Sequence, residues 1–191
     1  RRVKRILHHA RLDSSLNAIA TVGVVDVYRR HVVKGRDDRH YLAVAKAVEI
    51  GVADPRRIGI IGHSHGGLMV GTLLAHTDLF RAGIARSGSY NKTMQPFGFQ
   101  SERRSLFEAR DAYIQTSPTF VANRVNEPVL VLHGDADSNP GTLTIQSQVF
   151  FEAVRGSGGT ARLVLLPFED HGYRARETIE HVLWEQIRWL E

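Results

Sequence analysis

The sequence predicts an α/β protein: a mostly parallel sheet with helices on both faces. Three observations lead there. Short β-branched runs alternate with helical patterns from about Thr21 to the C-terminus. The pentapeptide Gly62-His63-Ser64-His65-Gly66 joins one such run to a stretch that is apolar on nearly every side. Residues able to carry chemistry fall just past three strand ends, where open parallel sheets gather their functional groups.

The early elements are short strands over 3–7 and 21–28, with a helix over 12–20 between them. Asp37 or Asp38 can cap a helix that carries Tyr41, Val44, Ala45 and Val48 on one face and stops at Gly51. Asp54-Pro55-Arg56 turns the chain into the run 57–61, which reads as a buried strand. The stretch after Gly66 suits a helix buried against the sheet. A further strand is expected over 82–87 and a long loop over 90–104. A helix over 105–115 then ends before Ser117-Pro118. The run 128–133 is continuous enough to be a strand buried on both faces. A helix over 143–155 shows Ile145, Val149, Phe150 and Val154 as its apolar side. The last strand is 161–167, and a final helix over 177–190 spaces Ile179, Val182, Leu183, Ile187 and Leu190 helically. With no repeat and no linker, residues 1–191 read as one domain.

Composition narrows the function. The 191 residues include no cysteine, which excludes disulfides, thiolate catalysis and zinc–thiolate sites. No apolar run approaches the ~18 residues of a membrane span and no signal-peptide pattern opens the chain, so a cytoplasmic protein without a membrane partner is expected. The net charge is +5, but its arginines are interspersed with acids and lack an aromatic recognition motif. A solvated basic surface is expected, and no nucleic-acid partner.

A strand, a G-x-S-x-G turn and a buried helix make a nucleophile elbow, which lifts the Ser64 hydroxyl clear of the sheet on a strained backbone. Residues without bulk are needed on either side. Asp135 and Asp137 follow the 128–133 strand, and His171 follows the last one. Ser, then Asp, then His is the chain order of an α/β-hydrolase triad. Serine needs an imidazole to take its proton during attack, and the imidazole needs a carboxylate to fix its tautomer. The residues alone leave Asp135 and Asp137 both open. The backbone N–H of His65 is the natural first oxyanion donor. His63 and His65 are expected to be loop partners and not metal ligands; no metal or cofactor is implied. His133-Gly134 is expected only to shape its turn.

Gly62-His63-Ser64-His65-Gly66-Gly67, His133-Gly134-Asp135-Ala136-Asp137 and His171-Gly172-Tyr173 resemble the catalytic domain of the prolyl oligopeptidase family of serine peptidases. The stretches 83–91, 96–100, 139–142 and 170–177 resemble its glutamyl-endopeptidase branch. The resemblance implies an α/β-hydrolase fold, a peptide substrate and a Ser64–Asp137–His171 triad, with Asp135 as a turn residue. It implies that Asn139 holds the substrate backbone, and that the loop containing Tyr90, Arg103 and Arg104 builds the side-chain pocket. A cation there would suit a glutamate, with Arg86, Arg103 and Arg104 as candidates. Two features depart from the family. His65 stands where an aromatic residue is usual. The family's β-propeller, early strands and second oxyanion donor have no counterpart in residues 1–17, which makes a truncated, catalytically silent domain one alternative. The other is an esterase or acylaminoacyl hydrolase of the same fold.

Overall fold

The computed structural model describes residues 54–100 and 102–191. The elements expected over 3–51 lie outside the described residues. Arg1–Arg57 and Ile58–Glu191 form separate compact units, and the second holds every described strand and α-helix.

Four strands, β1 (Gly59–His63), β2 (Ala82–Arg86), β3 (Val129–Gly134) and β4 (Ala161–Leu166), lie in the order β1-β2-β3-β4. Every neighbouring pair is parallel, so all four carboxyl ends share one edge. The first strand begins two residues later than its apolar run suggests, because residues 55–57 form a 3-10 turn. Helix α1 (His65–His76) follows β1, α2 (Arg110–Gln115) precedes β3, α3 (Ile145–Gly156) joins β3 to β4, and α4 (Arg176–Leu190) closes the chain.

Alternation along the strands assigns the two faces. Ile84, Leu130, Leu132 and Leu166 cluster with Val182 of α4. On the opposite side a side chain at Gly83 would run into Val70 and Leu74 of α1, and His133 meets Ser147 of α3. Helices therefore cover both faces. β3 is buried at all six positions, as its apolar run predicts.

Three helices differ from their expected form. The stretch 105–115 is helical only from Arg110. Glu108 accepts from the Ser105 N–H and hydroxyl at 2.7 Å each, and Ala109 leaves the helical region with φ −135°. In α3 the buried face is Gln146, Ser147, Phe150 and Val154, while Ile145 and Val149 are exposed. Gln146 is drawn inward because it accepts from Asn91 N–H and donates to the Gly141 carbonyl, both at 2.9 Å. In α4, Val182 and Glu185 are buried, and Ile179, Leu183, Ile187 and Leu190 are exposed. Arg162 on β4 donates two bonds to the Glu185 carboxylate, at 2.8 and 2.6 Å, which turns that face to the sheet.

Candidate active site

Ser64 sits between β1 and α1 at φ 58° and ψ −119°, a conformation costly for a residue with a side chain. Neighbouring contacts hold it there. Ser64 N–H donates to the Arg86 carbonyl at the end of β2 at 2.8 Å. A Cβ on Gly62 would collide with the Gly66 backbone, and one on Gly67 would lie 2.8 Å from the Arg86 carbonyl oxygen. Gly66 has open space where its side chain would be. The steric demand therefore falls on Gly62 and Gly67, not on both glycines of the motif. Leu68, Met69, Val70, Leu73 and Leu74 anchor α1 in the core.

Three strand ends converge on this hydroxyl. His171 Nε2 lies 2.9 Å from Ser64 Oγ, and His171 Nδ1 lies 2.8 Å from Asp137 Oδ2. A carboxylate only accepts, so Nδ1 carries the ring proton and Nε2 is free to receive the serine's. Asp137 is buried and well supplied with donors. Asn139 N–H donates to Oδ1 at 2.9 Å, and the Thr142 hydroxyl lies 3.2 Å from Oδ2.

Of the two aspartates, these contacts bring Asp137 to His171. Asp135 faces away and accepts from Phe168 N–H at 2.7 Å, anchoring the loop that carries His171. Asp170 ties the same loop to the Asp137 turn, accepting from the N–H groups of Ser138 and His171 at 2.8 Å each. A side chain at Gly134 would strike the Glu169 and Asp170 carbonyls, so the glycine allows the two loops to touch. Glu169 accepts from Arg174 and Ala175 N–H and leads the chain into α4.

His133 does more than shape a turn, which corrects the sequence expectation. Fully buried, it places Nε2 2.9 Å from Asp137 Oδ2 and Nδ1 2.6 Å from Ser147 Oγ. The carboxylate requires the proton on Nε2, so Nδ1 accepts from the serine hydroxyl. Burial first of all keeps this imidazole below its usual pKa and hence neutral. A histidine four residues before the carboxylate was the available signal, but its inward orientation is not a local property.

His63 lies against the imidazole of His171, with ring centroids 4.9 Å apart, and meets Tyr173 edge-on at 5.9 Å. Burial and then the Arg86 charge lower its pKa to about 4, so it adds no positive charge beside His171. Tyr173 donates to the Leu132 carbonyl at 3.2 Å and lies 3.0 Å from Ser87 Oγ. The N–H of His65 is the first of α1, among the donors a helix leaves without an internal partner.

The expected substrate residues fare differently. Tyr90 is fully buried and stacked on Phe150 with ring centroids 4.5 Å apart. Arg104 is exposed and holds the Glu102 carboxylate through two bonds, at 2.9 and 2.7 Å. Arg103 points to solvent. Asn139 is exposed, and its side-chain oxygen accepts from Gly141 N–H at 2.9 Å.

The sheet, the elbow and the aligned Ser64, His171 and Asp137 define the class: an α/β-hydrolase fold with a serine-hydrolase site. The chain belongs to the prolyl oligopeptidase family, whose peptidase domain model matches residues 26–191. It is 55% identical over 150 residues to a probable chloroplastic glutamyl endopeptidase of Arabidopsis thaliana, covering 78% of this chain and 16% of that one. The solved structure of puromycin hydrolase matches with a TM-score of 0.69 and 26% identity, over 78% of this chain and 23% of the other. An acylaminoacyl peptidase from Pyrococcus horikoshii matches with a TM-score of 0.64 and 26% identity, over 75% and 26%. The chain thus spans about a quarter or less of each of these proteins. Among the described residues no helix is long and apolar enough to cross a membrane.

Proposed function

We propose that the chain is the catalytic domain of a serine peptidase that cleaves peptide bonds through an acyl-enzyme, with a preference for glutamate before the scissile bond. The observation that carries the reaction type is the unbroken hydrogen-bonded line from Ser64 Oγ through His171 to Asp137. The glutamate preference draws on the names of the plant relatives. The family match crosses the boundary between the two compact units, which supports reading residues 1–191 as one catalytic domain.

In this mechanism Ser64 Oγ attacks the peptide carbonyl as His171 Nε2 takes its proton. Asp137 stabilises the imidazolium that forms, and the His65 N–H donates to the tetrahedral oxyanion. The intermediate collapses with transfer of the His171 proton to the leaving amine, giving an acyl-Ser64. Water, deprotonated by His171, then attacks the ester and restores the serine. Neutral His63 leaves the new imidazolium without a like-charged neighbour on that side.

Covalent labelling with a fluorophosphonate, controlled by Ser64→Ala, tests the reading. Labelling lost in the variant supports it; a folded chain that does not label favours a silent domain. The similarity to an acylaminoacyl peptidase keeps that hydrolase as the second reading, and acetylated against internal glutamyl peptides separate the two. A cytoplasmic location stands beside a plant relative named chloroplastic, and fractionation of the source cells decides between them.

A further inference from the structure

Lys92 is the one lysine of the loop that follows β2, and a loop lysine ordinarily extends into water. This one is 3% exposed. Its Nζ donates to Ser89 Oγ at 2.9 Å and lies 5.1 Å from the centre of the Phe99 ring. An ammonium has three N–H donors, and no carboxylate among the described residues forms an ion pair with it. A buried cation without a counter-ion is costly to keep charged. Burial lowers its pKa to about 8.

The loop holds that ammonium in place. Lys92 N–H donates to Ser117 Oγ at 2.7 Å, Asn91 N–H donates to Gln146 Oε1 at 2.9 Å, and Tyr90 is stacked on Phe150. The charge also acts on the site. His65, the residue after Ser64, has an imidazole held below its usual pKa by desolvation first and by the Lys92 charge second, although the residue is exposed. The arginines are worse placed. Arg104 is committed to Glu102, Arg103 faces solvent, and Arg86 lies on the imidazole side of the site, beside His63.

We propose that Lys92 is the specificity-determining residue, its ammonium receiving the carboxylate of the substrate residue that precedes the scissile bond. An acidic side chain supplies the counter-ion that no carboxylate among the described residues gives this ammonium. A rigid cation discriminates glutamate from glutamine by charge, since the two differ little in shape. The inference rests on the peptidase reading and adds the residue that recognises the substrate side chain.

The test uses the 191-residue chain and three probes for Ser64: peptidyl phosphonates ending in a glutamate or a glutamine side chain, and a plain fluorophosphonate whose rate normalises each variant. In the unaltered chain the glutamyl probe should react about 10–100-fold faster than the glutaminyl one, the worth of a charge-assisted hydrogen bond. Lys92→Met should bring the ratio near unity, and Lys92→Arg should retain most of it. Lys92→Gln gives an independent uncharged variant should the methionine substitution prevent folding. A ratio unchanged in the uncharged variants overturns the role of Lys92 while leaving the glutamate preference standing. A ratio near unity in the unaltered chain, with normal fluorophosphonate labelling, overturns the glutamate preference and the role of Lys92 together. Absence of all labelling overturns the peptidase reading itself.

Discussion

His133 Nε2 lies 2.9 Å from Asp137 Oδ2, the same oxygen that faces His171 Nδ1 at 2.8 Å. The carboxylate is therefore held between two imidazoles, one fully buried and locked by Ser147, the other free to pass a proton to and from Ser64.

Replacing His133 should change the pH profile and not only the yield of folded protein. With His133→Phe, Asp137 loses a donor and interacts more strongly with His171, so the acid limb of kcat/KM should move to higher pH. The rate should fall by about 10-fold or more, the cost of disturbing a buried charged hydrogen bond. His133→Gln, which keeps an N–H donor, should preserve most of the limb's position. An unmoved limb in His133→Phe would reduce this residue to a core filler.

The elbow glycines should separate in a thermal-unfolding comparison. Gly62→Ala drives a methyl into the Gly66 backbone and should cost about 1–3 kcal/mol or prevent folding. Gly66→Ala meets nothing within 4 Å in the first turn of α1 and should stabilise by up to about 1 kcal/mol. Equal effects at the two positions would contradict the steric account.

Acid should destabilise the fold through imidazoles held below their ordinary pKa. His63 has a folded pKa near 4 against an ordinary 6.5, facing Arg86, His171, His133, Asp137 and Tyr173. Above about 6.5 both folded and unfolded forms are neutral and nothing is lost. As pH falls from 6.5 towards 4 the unfolded chain binds the proton and the folded chain does not, so stability drops across that window. His65 and His133 are shifted in the same direction. His63→Gln should therefore lessen, without abolishing, the fall in Tm between about pH 7.5 and pH 5.

The glutamyl-to-glutaminyl ratio should itself depend on pH. Lys92 is charged below a pKa of about 8, and the titratable neighbour that feels its charge is His65. The ratio should be full at neutral pH and decline as pH rises through about 8, because the free chain loses the ammonium. A ratio constant to about pH 10 would assign the preference to an arginine instead.

The strands and the ends of the reacting line were readable from the chain because each depends on neighbours in sequence. A continuous apolar run makes β3 a buried strand wherever it lies. The tight turn after β1 requires Gly62 for steric reasons internal to the elbow. Once parallel strands were expected, Ser64 and His171 had to fall at one edge.

What only the tertiary structure decided was which way polar side chains turn. Asp137 and not Asp135 meets His171, because Asp135 is occupied by Phe168 N–H from another strand's loop. Ser147 and Gln146 displace Ile145 and Val149 from the buried face of α3, since His133 and Asn91 need partners there. Lys92 is buried, and Arg104 is not, because Ser89 and Phe99 enclose the one while Glu102 holds the other at the surface. Apolar periodicity depends only on the order of residues along the chain. The satisfaction of a buried polar group depends on atoms brought from distant segments, and no local pattern contains them.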